Sequence, residues 1–174
     1  SLWARWNRRS SSSARPNRRI SLAAPAVAVS SIRWLARRAG SAASLYGPRE
    51  LPRELIGKVR IVQASGISQA ISASACDAVF EAFALARTKG VLTAYDTNLR
   101  LKLWPLTRAR AIIHAACAMA DIVLPGLDDA IQLTGLSEPD AIVDFYLGLG
   151  AKVVALTLGH QGSLRPVSWI ASSS

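Results

Sequence analysis

VLTAYDTNLR, residues 91–100, is the stretch on which the reading of this chain turns. Its first half, Val91–Tyr95, is apolar or β-branched and reads as a strand. Its second half, Asp96-Thr97-Asn98-Leu99-Arg100, places polar side chains at positions 96, 98 and 100. In extended chain these project to one side. An acid, an amide and a guanidinium so arranged can hold a sugar acid or a phosphate. A polar turn that caps a strand accounts for the same spacing.

Working outward, the pattern on either side alternates strand and helix. Val59–Ala64 is a short β-rich run ended by Ser65-Gly66. Ser74 then opens a predicted helix, with Asp77 as a capping-box variant. Cys76, Val79, Phe80, Phe83 and Ala86 make its apolar face, and Gly90 stops it. Beyond Arg100, a helix is predicted over Thr107–Ala118, buried through Ile112, Ile113 and Ala116. Ile122–Leu124 is the third strand, closed by Pro125-Gly126. Helices follow over Leu127–Thr134 and from Pro139 to Leu147. Lys152–Thr157 is the fourth strand. Strands separated by helices at this spacing imply a parallel sheet with right-handed crossovers. Short apolar strands imply helices on both faces, a three-layer α/β fold. Ligands then bind beyond the carboxyl ends of the strands.

Composition limits the function classes. The chain has 174 residues, 18% charged, and a net charge of +10. Residues 1–40 hold nine arginines and no acid, which leaves 12 basic and 11 acidic residues in 41–174. Any polyanion partner would therefore bind the first 40 residues, where Trp3, Trp6 and Trp34 could stack on bases. The body is near neutral and carries no nucleic-acid fold signature, which makes such a partner an unlikely one. The same arm also suits a transit peptide in its Arg and Ser content. Cys76 and Cys117 read as buried thiols in a reducing, cytoplasmic setting. No apolar run reaches the ~20 residues of a membrane span.

Other polar groups also follow strands. Gly159 and Gly162, after Thr157, could bring backbone N–H groups to an anion, although a tight turn has the same pattern. Asp128-Asp129 begins a helix, where acids commonly serve the dipole and less often a metal. His160 has no orienting partner in the sequence and reads as a solvated loop histidine.

Taken together, these elements resemble the ribokinase-like (PfkB) carbohydrate kinases, closest to the 2-keto-3-deoxygluconate kinase branch. The resemblance rests on Gly40-Ser41-Ala42-Ala43-Ser44, Ser65-Gly66-Ile67-Ser68, Asp96-x-Asn98-x-Arg100, Ala120-Asp121-Ile122-Val123-Leu124-Pro125 and Gly159-x-x-Gly162, in that order. It covers about residues 38–164. It implies ATP and Mg2+ as cofactors and a sugar acid as substrate. Arg38, Ile67 and Arg100 would contact the substrate. Asn98, Arg100, Gly126, Thr157, Gly159 and Gly162 would lie at the nucleotide. Asp129 resembles the acid of the metal- and phosphate-linked Asn-x-x-Glu element.

Departures from the family pattern are equally specific. Arg37 stands where the related kinases carry tyrosine, and Gly126 where they carry Asn or Ser. The Gly-Ala-Gly-Asp element, source of the catalytic aspartate and an anion hole, is absent from the sequence. The family's amino-terminal strands and lid have no counterpart here. The expected organisation is an Arg/Ser-rich arm over 1–40, a partial α/β domain over 41–164 truncated at both ends, and an irregular tail over 165–174. The arm and tail have the composition of translation in a shifted frame.

Overall fold

A computed structural model describes residues 45–158 and the backbone of 164–167. The arm, Arg38, the Gly40–Ser44 element, Gly159, His160 and Gly162 lie outside the described residues.

After a 3-10 turn at Pro48–Glu50 the order is α1 (Arg53–Ile56), β1 (Ile61–Ser65), α2 (Gly66–Ala70), α3 (Ala73–Thr88) and β2 (Leu92–Asp96). Then come α4 (Leu106–Met119), β3 (Ile122–Leu124), α5 (Leu127–Thr134), α6 (Pro139–Gly148), β4 (Val153–Thr157) and β5 (Leu164–Val167). The sheet runs β1-β2-β3-β4-β5, and its first four strands pair in parallel. All four are the strands read from the sequence, with edges moved by one or two residues.

Helices α1 and α2 have no counterpart in the sequence reading, and two further elements differ from it. Ser72, not Ser74, caps α3: its backbone is extended and its Oγ accepts the Ala75 N–H at 3.1 Å. Ser74 lies inside the first turn. The sequence held two serines in capping reach of the helix start, and only the backbone angle selects between them. The second difference is β5, which pairs antiparallel with β4 through Leu164–Val167. An irregular tail was expected from residue 165. Pro166 masked the strand, and Pro is tolerated there because β5 ends the sheet among the described residues.

Strand pairing in sequence order has a consequence for layering. Every right-handed crossover steps the same way, so the connecting helices fall on one face. The row Ala64, Tyr95, Val123, Val154 faces them and is buried. Phe83, Ile113, Ala116, Leu133, Ile142 and Tyr146 supply the helix side of that core. The opposite face carries Ile61 and Leu92, 38% and 43% exposed, with Ile122, Leu124 and Val153 half-buried. The expected fold class, a parallel α/β sheet with packed helices, is observed, and among the described residues the helices lie over this buried row.

Candidate functional site at the carboxyl ends of the strands

The strands end in register. Ser65 pairs with Asp96, and Asp96 with Leu124. One step further, Gly126 bridges to Thr157. The carboxyl ends of β1 to β4 therefore form one rim, and the polar segments singled out in the sequence sit along it.

Asp96–Arg100 crosses the middle of this rim. Thr97 is fully buried, and its Oγ1 has no hydrogen-bond partner among the described residues. Its carbonyl rests on the first residue of α2. A Cβ on Gly66 would overlap the Thr97 carbonyl oxygen, so only glycine permits this approach. Asn98 takes φ of 32°, the left-handed region. That conformation costs a non-glycine residue about 1–3 kcal/mol and persists only when neighbours hold it. One neighbour is Asp129, whose Oδ2 accepts the Leu99 N–H at 2.8 Å. Leu99 itself is buried in the core.

Arg100 leaves the turn into solvent. Its Nη1 donates to the Leu99 carbonyl at 2.9 Å, and no carboxylate among the described residues pairs with it. One terminal nitrogen of the guanidinium is engaged by the turn, and most of its donors stay open to an anion. Behind it, the exposed Leu101 and Leu103 flank a loop that buried Trp104 anchors.

Gly126, Asp129 and Thr157 meet on the next strand junction. A Cβ on Gly126 would stand 3.7 Å from Thr157 Oγ1 and 3.9 Å from Asp129 Oδ2, in open contact. The side chain missing at this position would thus lie between a hydroxyl and a carboxylate. Thr157 is tied back through its N–H to the Pro125 carbonyl at 2.9 Å. Ile67, half-buried in α2, sits beside Gly66 on the neighbouring part of the rim. So Ile67, Asn98, Arg100, Gly126, Asp129 and Thr157 share one edge of the sheet.

Among the described residues the edge offers magnesium no cluster of protein ligands. The ion takes oxygen ligands, often one or two carboxylates with the rest from phosphates and water. Among the described residues no three His, Cys, Asp or Glu side chains are grouped to hold a metal. Asp129 already commits Oδ2 to a backbone N–H.

The opposite end of the sheet has its own polar cleft of about 200 Å³, lined in part by Arg87, Gly90, Thr93, Asp121, Gly150 and Lys152. Helices α3, α4 and α6 end there. Their C-terminal carbonyls disfavour an anion, and Asp121, Thr93 and Lys152 are paired with one another. Asp121 Oδ2 accepts from the Thr93 N–H at 2.9 Å and from Thr93 Oγ1 at 3.0 Å. Lys152 Nζ reaches Asp121 Oδ1 at 2.8 Å. Burial alone would raise the Asp121 pKa, but Lys152 and the Thr93 hydrogen bonds outweigh it and hold the carboxyl below its ordinary range.

Sequence reasoning found the rim but missed the contacts that hold it. The close approach of Gly66 to Thr97 and the bond between Asp129 and Leu99 join residues about 30 positions apart. Glycine at the end of a strand was the only local signal. The buried partnership of Tyr95, whose hydroxyl donates to Gln69 Oε1, was likewise unseen.

A parallel sheet with a glycine-seated polar turn, and an arginine at its carboxyl rim with no carboxylate partner among the described residues, defines an α/β protein with a polar candidate site at that rim. Residues 34–165 match the pfkB family of carbohydrate kinases, and the chain belongs to that family. It is 34% identical over 128 residues to a 2-dehydro-3-deoxygluconokinase of Bacillus subtilis, covering 72% of this chain and 39% of that protein. (The name is a synonym of 2-keto-3-deoxygluconate kinase.) The crystal structure of a PfkB protein from Polaromonas sp. JS666 is 36% identical with a TM-score of 0.69, over 72% of this chain and 43% of that one. A putative ribokinase II of E. coli, solved with ATP and Mg2+, shares the fold at a TM-score of 0.61 and 21% identity, over 71% of this chain and 42% of that one. The chain thus spans about two-fifths of the length of the curated relative it matches. No helix among the described residues is long and apolar enough to cross a membrane.

Proposed function

We propose that this chain carries part of the nucleotide and sugar-acid site of an ATP-dependent kinase acting on 2-keto-3-deoxygluconate or a related sugar acid. The observation that carries the reading is Arg100, bonded through Nη1 to the Leu99 carbonyl and paired with no carboxylate among the described residues, at the carboxyl rim of a pfkB-family sheet. The reaction moves the γ-phosphoryl of ATP to a sugar hydroxyl, and the charge on the transferred group is what a guanidinium can stabilise. Arg100 and Asn98 would meet the phosphates, with Gly126, Thr157, Gly159 and Gly162 around the nucleotide. Arg38 and Ile67, with Arg100, would bound the sugar acid. ATP would enter as its magnesium complex, its own phosphates and water supplying most of the metal's ligands.

The 174 residues contain no Gly-Ala-Gly-Asp element. A site without its base and anion hole loses most of the rate that the fold contributes. The chain by itself is therefore expected to bind and not to turn over. A coupled assay with 2-keto-3-deoxygluconate and ATP tests this, alongside titration with a fluorescent ATP analogue. Saturable analogue binding that Arg100→Ala weakens, with no turnover above background, supports the reading. Turnover that survives Arg100→Ala, or analogue binding indifferent to it, refutes the role of the rim.

A further inference from the structure

We infer that Asp129 serves this site as a positioning residue, by holding the 97–100 turn, and not as a ligand of magnesium. The inference rests on the proposed kinase reading for what the turn presents, but its geometry stands apart from that reading.

Asp129 is the third residue of α5, a place where an acid ordinarily answers the helix dipole or the helix's own first N–H groups. Its carboxylate does something else. Oδ2 turns across the rim to the Leu99 N–H, 30 residues away, at 2.8 Å. Gly126, which precedes α5, caps nothing with a side chain.

The Leu99 N–H follows directly on the strained residue of the turn, Asn98, with φ of 32°. On the other side of Asn98, the Thr97 carbonyl lies against Gly66, where a Cβ would collide with it. The turn is therefore gripped at both flanks: by α2 from below through a glycine, and by α5 through a carboxylate. Arg100 is next along the chain, and its guanidinium bonds back to the carbonyl of the same Leu99. One acceptor, Asp129 Oδ2, thus holds the N–H of the same residue whose carbonyl the Arg100 guanidinium bonds.

The distinction between positioning and metal binding is chemical. A backbone N–H needs an acceptor oxygen, which asparagine also offers. A magnesium ion needs the carboxylate's charge. Asp129→Asn and Asp129→Ala therefore separate the two roles.

The full chain would be measured in three forms: native, Asp129→Asn and Asp129→Ala. Two readouts are taken, hydrogen exchange of the Leu99 amide and affinity for a fluorescent ATP analogue with and without Mg2+. Circular dichroism confirms that each variant is folded. A hydrogen bond to a charged group contributes enough for its loss to change an equilibrium about tenfold or more. Asp129→Ala is expected to speed Leu99 exchange and weaken analogue binding by about that factor, with or without Mg2+. Asp129→Asn keeps the acceptor in weaker, neutral form and should stay within about threefold of native in both readouts. If Asp129→Asn loses as much as Asp129→Ala, and only when Mg2+ is present, the residue is a metal ligand and the inference is overturned. Leu99 exchange unchanged in Asp129→Ala overturns it as well. If the native chain binds no analogue, the kinase reading fails, while Leu99 exchange still reports whether Asp129 holds the turn.

Discussion

The two ends of the sheet each use one aspartate to tie strands together, and they use it to opposite effect. At the amino end, Asp121 takes both donors of Thr93 and the ammonium of Lys152, and its own backbone N–H returns to Thr93 Oγ1 at 3.0 Å. The polar groups there satisfy one another. At the carboxyl end, Asp129 spends one oxygen on Leu99 and leaves around it a left-handed asparagine and, among the described residues, a buried threonine hydroxyl without a partner and an arginine without a carboxylate. One aspartate closes a structure; the other holds a strained one open. The left-handed Asn98 and the unmet Thr97 hydroxyl stand side by side at the carboxyl end, and such costs persist where a ligand uses them.

Breaking the carboxyl end at its tightest contact should have the largest effect. Gly66→Ala forces a Cβ into the Thr97 carbonyl, which is backbone and cannot swing away. Overpacking of this kind costs about 1–3 kcal/mol or more. Urea unfolding should show that loss together with loss of ATP-analogue binding. Normal stability with normal binding would mean that the turn is not seated on α2.

Breaking the amino end should cost stability and spare the site. Asp121→Ala removes the acceptor of three hydrogen bonds and orphans the Thr93 N–H, an expected loss of about 2 kcal/mol. The melting temperature should fall by roughly 4–8 °C for a chain of this size. Analogue binding, measured well below the melting temperature, should match native. A large binding defect in this variant would erase the contrast between the two ends.

Acid should act on the amino end in the same sense. The Asp121 carboxyl is depressed in the folded protein, so the folded state binds its proton less readily than the unfolded chain. Its stabilisation is therefore fully present above the unfolded value of about 4 and is lost as pH falls through the lower folded value. Urea midpoints followed downward from about pH 6 should decline more steeply in native protein than in Asp121→Asn. Parallel curves would show that Asp121 contributes nothing to acid sensitivity.

Arg100→Ala should have the smallest effect on stability. The side chain is exposed and its hydrogen bond among the described residues is to the Leu99 carbonyl, so the change should stay within about 0.5 kcal/mol. Its effect should fall on analogue binding instead. A marked drop in stability would make Arg100 part of the structure that Asp121 represents at the other end.

How much of this was legible beforehand differs between the two ends. Asp121 belongs to the Ala-Asp-Ile-Val-Leu-Pro segment, which the sequence marked as a strand and its lead-in, yet its partners Thr93 and Lys152 were invisible. Asn98 and Arg100 were visible as polar residues at alternate positions after a strand, and a capping turn explained them equally well. Nothing local distinguishes an arginine that meets an anion from one that decorates a turn.

The amino-acid sequence by itself determined the four parallel strands, the helices between them and the rim where polar residues gather. Those features follow from periodicity, capping residues and chain handedness, all of which act within a dozen or so residues. Tertiary structure alone decided the rest. It sent the Asp129 carboxylate to Leu99 and not to its own helix, set Thr97 against Gly66, chose Ser72 over Ser74 as the cap and put the helices over one face of the sheet. Each of these depends on which groups the packed strands bring within about 3 Å of one another, and a hydrogen bond across 30 residues leaves no period in the chain.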